Sequence, residues 1–448
     1  TSYIPLNRDE HVASYIDNKI FFLGGETDTQ NLTKDFFFLD VSIPFNTSSL
    51  PMYDLNSITE IPFNRRASSI VCETVKDAIF VWGGDFGLNS SSPLIFAFNT
   101  TAKIWNAAND KGIKPPRRRF SSVVCDKNAK IYILDGTADQ NIGNTSSPYS
   151  NELDVFDTSQ LTWSLGSNLN APVPHDIGTA TLLPNGKIVY IGGSNAFGKY
   201  LELTQVFLYD TLKNTWANMN TTGASPTARG FHTAVLTRQG HIVVYGGENA
   251  PFIPVLDQLL DLDTNVQPFK WTIPSIGFTP NPAPFRGHTS TLVGNYMIVA
   301  FGWFNNGTGS SRSNKIIMLN VNDPNNYMWV SSFTPPSVLS ATSQPAASKS
   351  PESNTGSTNN TAVIIGIVGG VVGIIIISAV IFLYYRWYKN REDINVIPSD
   401  DAFKRSKEVI YDCSRSTNSL STESLEKRQL HRLDRLAQVD YTLSILTF

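Results

Sequence analysis

The chain has 448 residues, 41% of them hydrophobic, and a formal net charge of -3, which is enough length and apolar content for a sizeable folded core. The charge divides into two near-neutral parts, 24 Lys/Arg against 28 Asp/Glu in residues 1–361 and 11 against 10 in residues 386–448. Neither part has the basic surface that phosphate backbones demand, so nucleic acid is excluded as a partner.

From the N-terminus onward, strand-forming runs that end in glycine recur: KIFFLGGE (19–26), AIFVWGGD (78–85), KIYILDGT (130–137), KIVYIGGS (187–194), HIVVYGGE (241–248) and MIVAFGWF (297–304). Aligned, they put Gly24, Gly83, Asp135, Gly192, Gly246 and Gly302 at one position, with steps of 59, 52, 57, 54 and 56 residues. Gly25, Gly84, Gly136, Gly193 and Gly247 follow as the second glycine, and Trp303 takes that place in the sixth copy. So even a period marks a repeat architecture. A phosphate-binding loop also begins with a strand running into glycines, but no Lys-Ser/Thr pair follows here and the frame is shared by all copies.

Each copy reads as four strands. An apolar strand comes first, with Arg8, Arg66, Arg118, Arg229 or Arg286 upstream and His175 in the fourth copy. The glycine-ended strand is second. The third ends in Asp40, Asn99, Asp157, Asp210, Asp263 or Asn320, and the fourth opens at Trp105, Trp163, Trp216, Trp271 or Trp329. The first copy has no such Trp, and Tyr53 is expected in its place.

This combination of Arg, paired Gly, Asp/Asn and Trp resembles the kelch repeat over roughly residues 8–332. The resemblance implies an all-β fold, a six-bladed kelch-type β-propeller over residues 1–332, with each repeat forming one four-stranded blade and the Trp side chains packing between blades. Distant similarity extends to attractin-like propellers and to galactose oxidase, whose copper-radical site raises an oxidase as an alternative. Such a site needs two His and two Tyr ligands, one Tyr joined to a Cys. Here His11, His232 and His288 share one repeated position, which marks them as structural, and His241 opens an ordinary strand. No catalytic residue, metal or cofactor is expected.

Cys72 and Cys125 lie in matching contexts, RRASSIVC and RRRFSSVVC. A disulfide and a pair of buried thiols are both open. Thiols are the expectation, because packed sheets lie about 10 Å apart, beyond disulfide reach.

Beyond the repeats, residues 333–361 form a Ser/Thr/Pro-rich stalk, expected to be disordered and able to reach about 90 Å when extended. Residues 362–385 run 24 residues without a charge, which as a helix spans about 36 Å and crosses a bilayer. Arg386, Lys389 and Arg391 follow, so the mostly disordered tail, residues 386–448, should lie in the cytoplasm. Gly366 and Gly370 in the span offer a small-residue face for a homodimer. Asn-x-Ser/Thr sequons at Asn31, Asn46, Asn89, Asn99, Asn144, Asn220, Asn306 and Asn360 all precede the span and none follows it. The chain opens at Thr1, and a removed signal peptide is expected before it.

The sequence therefore reads as a single-pass type I membrane protein of the cell surface, its propeller recognising an extracellular protein or glycan. The long loops after the glycine-ended strands, residues 85–93, 138–150, 194–200, 249–254 and 304–313, should share one face and carry that contact. The alternatives are the copper-radical oxidase and a structural polarity or cell-wall anchoring protein.

Overall fold

The structure, a computed structural model, describes residues 2–336 apart from 30–31, 59, 61, 63, 86–92, 139–148, 277–279, 281–282 and 306–308. The expected transmembrane span with Gly366 and Gly370, the expected tail, most of the expected stalk, and the sequons at Asn31, Asn89, Asn144, Asn306 and Asn360 lie outside the described residues. Among those described, no helix is long and apolar enough to cross a membrane.

Six antiparallel sheets are built on four strands each, in simple meander order. Sheet 1 holds Val12–Ile16, Lys19–Leu23, Phe36–Asp40 and Met52–Asp54. Sheet 2 holds Ser68–Val71, Ala78–Trp82, Ile95–Asn99 and Ile104–Ala107. Sheet 3 holds Ser122–Cys125, Lys130–Leu134, Asp154–Asp157 and Thr162–Leu165. Sheet 4 holds Thr179–Leu182, Lys187–Ile191, Gln205–Asp210 and Thr215–Asn220. Sheet 5 holds Thr233–Leu236, His241–Tyr245, Leu259–Asp263 and Lys270–Thr272. Sheet 6 holds Thr289–Val293, Tyr296–Ala300, Ile316–Asn320 and Met328–Val330.

Both faces of each second strand are apolar and buried, and a lone sheet would leave both wet. The remedy is face-to-face stacking. Six hydrophobic clusters form, one between each sheet and the next, and the cluster that joins Ile20, Phe22 and Phe37 to Ile298, Ala300 and Met318 brings sheet 6 against sheet 1. Closure is completed by Phe45–Asn46 pairing with Ser332–Phe333, where the Phe45 and Phe333 rings stack at 4.7 Å. Phe333 is buried, one residue past the expected end of the propeller.

The repeated Asp/Asn is a turn former in every copy. The side-chain oxygens of Asp40, Asn99, Asp157, Asp210, Asp263 and Asn320 each accept the backbone N–H two residues on, at 2.9–3.1 Å, which reverses the chain into the fourth strand. The residue before it faces Trp105, Trp163, Trp216, Trp271 or Trp329 across the ladder. These Trp side chains reach the preceding sheet, as expected: Trp105 packs on Phe36 at 5.3 Å, Trp163 on Trp82 at 5.2 Å and Trp329 on Tyr245 at 5.4 Å. The indole N–H of Trp216 donates to Ser167 O at 2.7 Å, and that of Trp271 to Leu203 O at 2.8 Å.

Three expectations are corrected. In sheet 1, Leu39 faces Met52, so Met52 fills the Trp position. Tyr53, one residue on, points to the opposite face, as strand alternation requires, and stacks on Phe38 at 5.0 Å. In sheet 6, the second strand ends at Ala300, so Gly302 is the second glycine and Phe301, at φ 59°, is the first. The frame shows in the hydrogen bonds: Gly247 N donates to Phe285 O at 2.6 Å, and Gly302 N likewise to Arg8 O at 2.8 Å. Close approach to the next sheet is what the paired glycines permit; a Cβ on Gly246 would lie 2.7 Å from the His288 ring and 2.8 Å from Phe285 O. Phe301 is tolerated there because its ring packs edge-on against Phe22 and His11 at 5.1 and 5.0 Å.

The third correction is Cys72–Cys125, which is a disulfide with Cα atoms 5.3 Å apart. The 10 Å spacing of packed sheets holds at mid-sheet, whereas first strands converge on the axis. Cys72 directly follows the first strand of sheet 2, and Cys125 ends that of sheet 3.

Candidate functional site

Second strands end, and first strands begin, on one face of the ring, here called the upper face. The expected recognition loops all depart from it. Where first strands begin, the carbonyls of Arg8, Asn64, Arg118, His175, Arg229 and Phe285 each accept a glycine N–H from the preceding sheet. Arg66 and Arg286 are therefore two residues and one residue off the repeated Arg position, which Asn64 and Phe285 occupy. His175 in that position meets Asp135, the residue standing for a glycine one sheet earlier, at 3.0 Å. The two departures from the repeat compensate each other: burial opposes a charge on His175, but the Asp135 carboxylate outweighs it and raises the imidazole pKa.

Two residues further along, Glu10, Arg66, Phe120, Ile177, Phe231 and Gly287 form a ring in which every residue is left-handed, with φ between 53° and 62°. Backbone bonds of 2.9 Å run sideways through it, Glu10 N to Gly287 O, Arg66 N to Glu10 O, Phe120 N to Arg66 O and Phe231 N to Ile177 O. Left-handed geometry is costly for bulky and branched residues, and such strain clusters where a fold holds side chains for use. The ring narrows the upper mouth of the axial channel, enclosing a cavity of about 150 Å3.

Around the ring lies an ionic collar. The residues between the carbonyl position and the ring are Asp9, Arg65, Arg119, Asp176, Gly230 and Arg286, and five of them reach the residue after the second glycine of the preceding sheet. Asp9 accepts the Trp303 indole N–H at 2.6 Å, Arg65 pairs with Glu26, Arg119 lies 3.8 Å from Asp85, Asp176 accepts the Thr137 hydroxyl at 2.7 Å, and Arg286 donates to both oxygens of Glu248 at 3.1 and 2.9 Å. Arg312 joins Asp9 and Glu26, each at 2.6 Å, and Arg66 joins Glu10 at 2.6 Å. Burial raises the carboxyl pKa values of Asp9 and Glu10 against the pull of these guanidinium groups.

Aromatic rings sit over the collar. The Arg286 guanidinium lies 3.9 Å from the Phe231 ring and 4.3 Å from Phe252, and Phe252 meets Trp303 edge-on at 5.4 Å. Phe252 is itself left-handed, at φ 57°, and its N–H donates to Glu248 at 3.0 Å. Large apolar side chains are exposed on the loops that leave this face after sheets 4 and 5: Phe197 is 94% exposed and Leu256 101%, and Phe252 and Ile253 are about half exposed.

Beneath the mouth, the first strands line the channel with small side chains, among them Ala13, Ser69, Ala180, Ala234 and Ser290. His11, His232 and His288 are buried here, and each Nε2 meets a threonine hydroxyl of the preceding sheet: Thr289 at 2.9 Å, Thr179 at 3.1 Å and Thr233 at 2.9 Å. They do not converge on one point, and the described residues contain no group of three or more His, Cys, Asp or Glu side chains placed to hold a metal. Burial, reinforced by Arg229 and His288, holds His232 down at about 3; burial holds His288 at about 4 and, with Arg8 and His288 nearby, His11 well below its usual value.

A depressed folded-state pKa means that the unfolded chain binds more protons. The stability these imidazoles contribute is full above the unfolded value of about 6.5 and falls as pH drops below it. Each should steepen the loss by up to about 1.4 kcal/mol per pH unit, and His288→Gln should flatten the slope by that amount between about pH 6 and pH 4.5. Denaturant melts of both proteins across that range check this; parallel curves would show that His288 is charged in the fold.

Of the described sequons, Asn46 and Asn99 are half-buried and Asn220 is exposed. The residues matched by a family model settle the relationship: the KLHDC2/KLHL20/DRC7 kelch-repeats domain matches residues 10–247 and 201–366. The chain belongs to the kelch-repeat family. This kelch protein is 26% identical over 313 residues to Kelch domain-containing protein 3 of Homo sapiens, and 25% identical over 312 residues to that of Rattus norvegicus, covering 66% of this chain and 77% of each relative. A solved structure titled "Structure of YjhT" superposes with a TM-score of 0.55 over 73% of this kelch chain and 98% of its own, at 14% identity, and shares the fold alone.

Proposed function

We propose that the chain is a single-pass type I membrane protein whose six-bladed propeller lies outside the cytosol and recognises a protein ligand through its upper face. The observation that carries the recognition reading is the exposure of Phe197, Phe252, Ile253 and Leu256 on loops of the upper face, with Phe252 seated over a collar whose cations are already ion-paired. Exposed large apolar side chains on loops held by a rigid scaffold mark interaction sites. Saturated ion pairs favour a partner that covers apolar surface over one that supplies charge, and hence a protein before a glycan.

The upper face is clear of the last described residues: Pro336 packs at Gly294, in a turn of the lower face, where it shares a cavity with Tyr15 and Asn18. The Cys72–Cys125 bond fits an oxidising compartment, in keeping with the charge bias around the span and the sequons.

The test is a screen of the soluble propeller, residues 1–336, against cell-surface proteins and glycans, repeated with Phe197→Ser/Phe252→Ser. The double substitution should weaken binding at least tenfold while tail deletion in the full chain leaves it unchanged. A ligand bound equally by both forms would overturn the assignment of the face, and copper in the purified protein would reopen the oxidase.

A further inference from the structure

We infer that Asn220 carries an N-linked glycan that guards the outer edge of sheet 4, and that Asn99 and Asn46 carry none; this rests on the reading that the propeller is exported. The three described sequons differ in what the fold has done with the acceptor amide. At Asn99, Nδ2 donates to Asp77 Oδ2 at 2.8 Å while Oδ1 accepts N–H groups of Thr101 and Ala102 at 3.0 and 2.6 Å. Both ends of that amide are committed to the turn. At Asn46, Nδ2 donates to Ser332 Oγ at 3.3 Å and Oδ1 accepts from Ser48 N and Oγ at 3.0 Å, within the strand pair that closes the ring.

Asn220 is different. It ends the fourth strand of sheet 4, is exposed, and uses only Oδ1, which accepts from Gln205 Nε2 at 3.1 Å. Its Nδ2 has no hydrogen-bond partner among the described residues, and the sequon residue Thr222 is itself exposed, its hydroxyl donating only a long bond of 3.3 Å to Phe269 O. In the transfer, Nδ2 bonds to the anomeric carbon of an oligosaccharide carried on a lipid pyrophosphate; the carbon–oxygen bond to the pyrophosphate breaks, and one amide proton leaves with that anion.

The place matters as well as the access. The outer strands of sheets 3 and 5 are covered by the short parallel strands Lys111–Gly112 and Thr222–Gly223. That of sheet 4 has six residues, the most of any outer strand in the six sheets, and no described strand pairs with its free edge. An uncovered edge of this length templates strand addition by another chain unless something bulky or charged blocks it. A glycan at Asn220 supplies the block.

Peptide mapping of the full chain from a eukaryotic secretory host, after enzymatic deglycosylation in heavy-oxygen water, tests this. Asn220 should convert to labelled Asp almost completely, and Asn99 and Asn46 should not. Occupancy at Asn99 or Asn46 equal to that at Asn220, or an empty Asn220 beside an occupied Asn360, would overturn the inference and leave the export reading standing. Sugar at none of the sequons would overturn the export reading and this inference with it. Asn220→Gln and Thr222→Ala remove the glycan by different routes, so both should raise self-association by a similar factor in sedimentation; two variants as dispersed as the parent would remove the edge-guard role.

Discussion

Replacing Cys72 and Cys125 together by alanine should lower the unfolding free energy of the propeller by about 4 kcal/mol. The bond closes a loop across 53 residues, and the chain entropy it removes from the unfolded state gives that figure at 25 °C. Both sulfurs sit in the cluster between sheets 2 and 3, where Cys72 is fully buried, so lost packing adds to the effect. For a domain of this size the thermal midpoint should fall by about 6 °C. Denaturant titration of residues 1–336 gives the measurement, and wild-type protein in strong reductant should behave like the variant. A difference under about 1 kcal/mol would mean that the loop entropy is offset by residual structure in the unfolded chain, or that the thiols are free. The first outcome is recognised by an unchanged mass after alkylation.

The bond was open to either reading in the sequence because the relevant distance is not a property of two packed sheets in general. It depends on radial position, and Cys72 and Cys125 lie at the axis, where neighbouring first strands are nearest. Other features were legible because each depends on its own copy alone. The Asp/Asn turn needs only its own side chain and the next two residues, so Asp157 and Asp210 could be recognised from spacing. The Trp needs a fixed offset from that turn. Where the offset changes, as in the longer link from Asp40 to Met52, the wrong neighbour, Tyr53, is the more conspicuous residue, and only the ladder shows which of two adjacent side chains faces in.

The collar illustrates a harder limit. Its contacts join position 65 to 26, 119 to 85, 176 to 137 and 286 to 248, always one copy apart and one residue after a conspicuous one. Arg66 and Arg286 lie close enough to the repeated position to pass for its arginine in the sequence, and that hides the pattern. With Asn64 and Phe285 in register, a charge at the next position facing an opposite charge one copy earlier appears at Arg65 with Glu26 and at Arg286 with Glu248. The frame was the missing quantity, and in the sixth copy a single glycine cannot say whether it is the first or the second of a pair.

That frame leads to the largest expected single-residue effect. Arg286→Ala should destabilise the propeller by about 3–5 kcal/mol, the range for leaving one member of a buried ion pair alone. Glu248 is 2% exposed; besides Arg286, it accepts from the Tyr200 hydroxyl at 3.0 Å and from Phe252 N at 3.0 Å. Two neutral donors do not replace a bidentate guanidinium. Arg286→Lys should recover only part of the loss, because an ammonium keeps the charge but neither the fork nor the stacking between Phe231 and Phe252. Arg286→Met with Glu248→Gln should recover more than either single change, since no ionised group is then stranded. A double-mutant cycle in denaturant gives the coupling, and a value below about 1 kcal/mol would show that the pair behaves as a surface pair. Ligand binding separates the collar's two roles: Arg286→Lys, if it folds fully yet binds weakly, places Phe252 in the contact, because the guanidinium is what holds that ring over the collar.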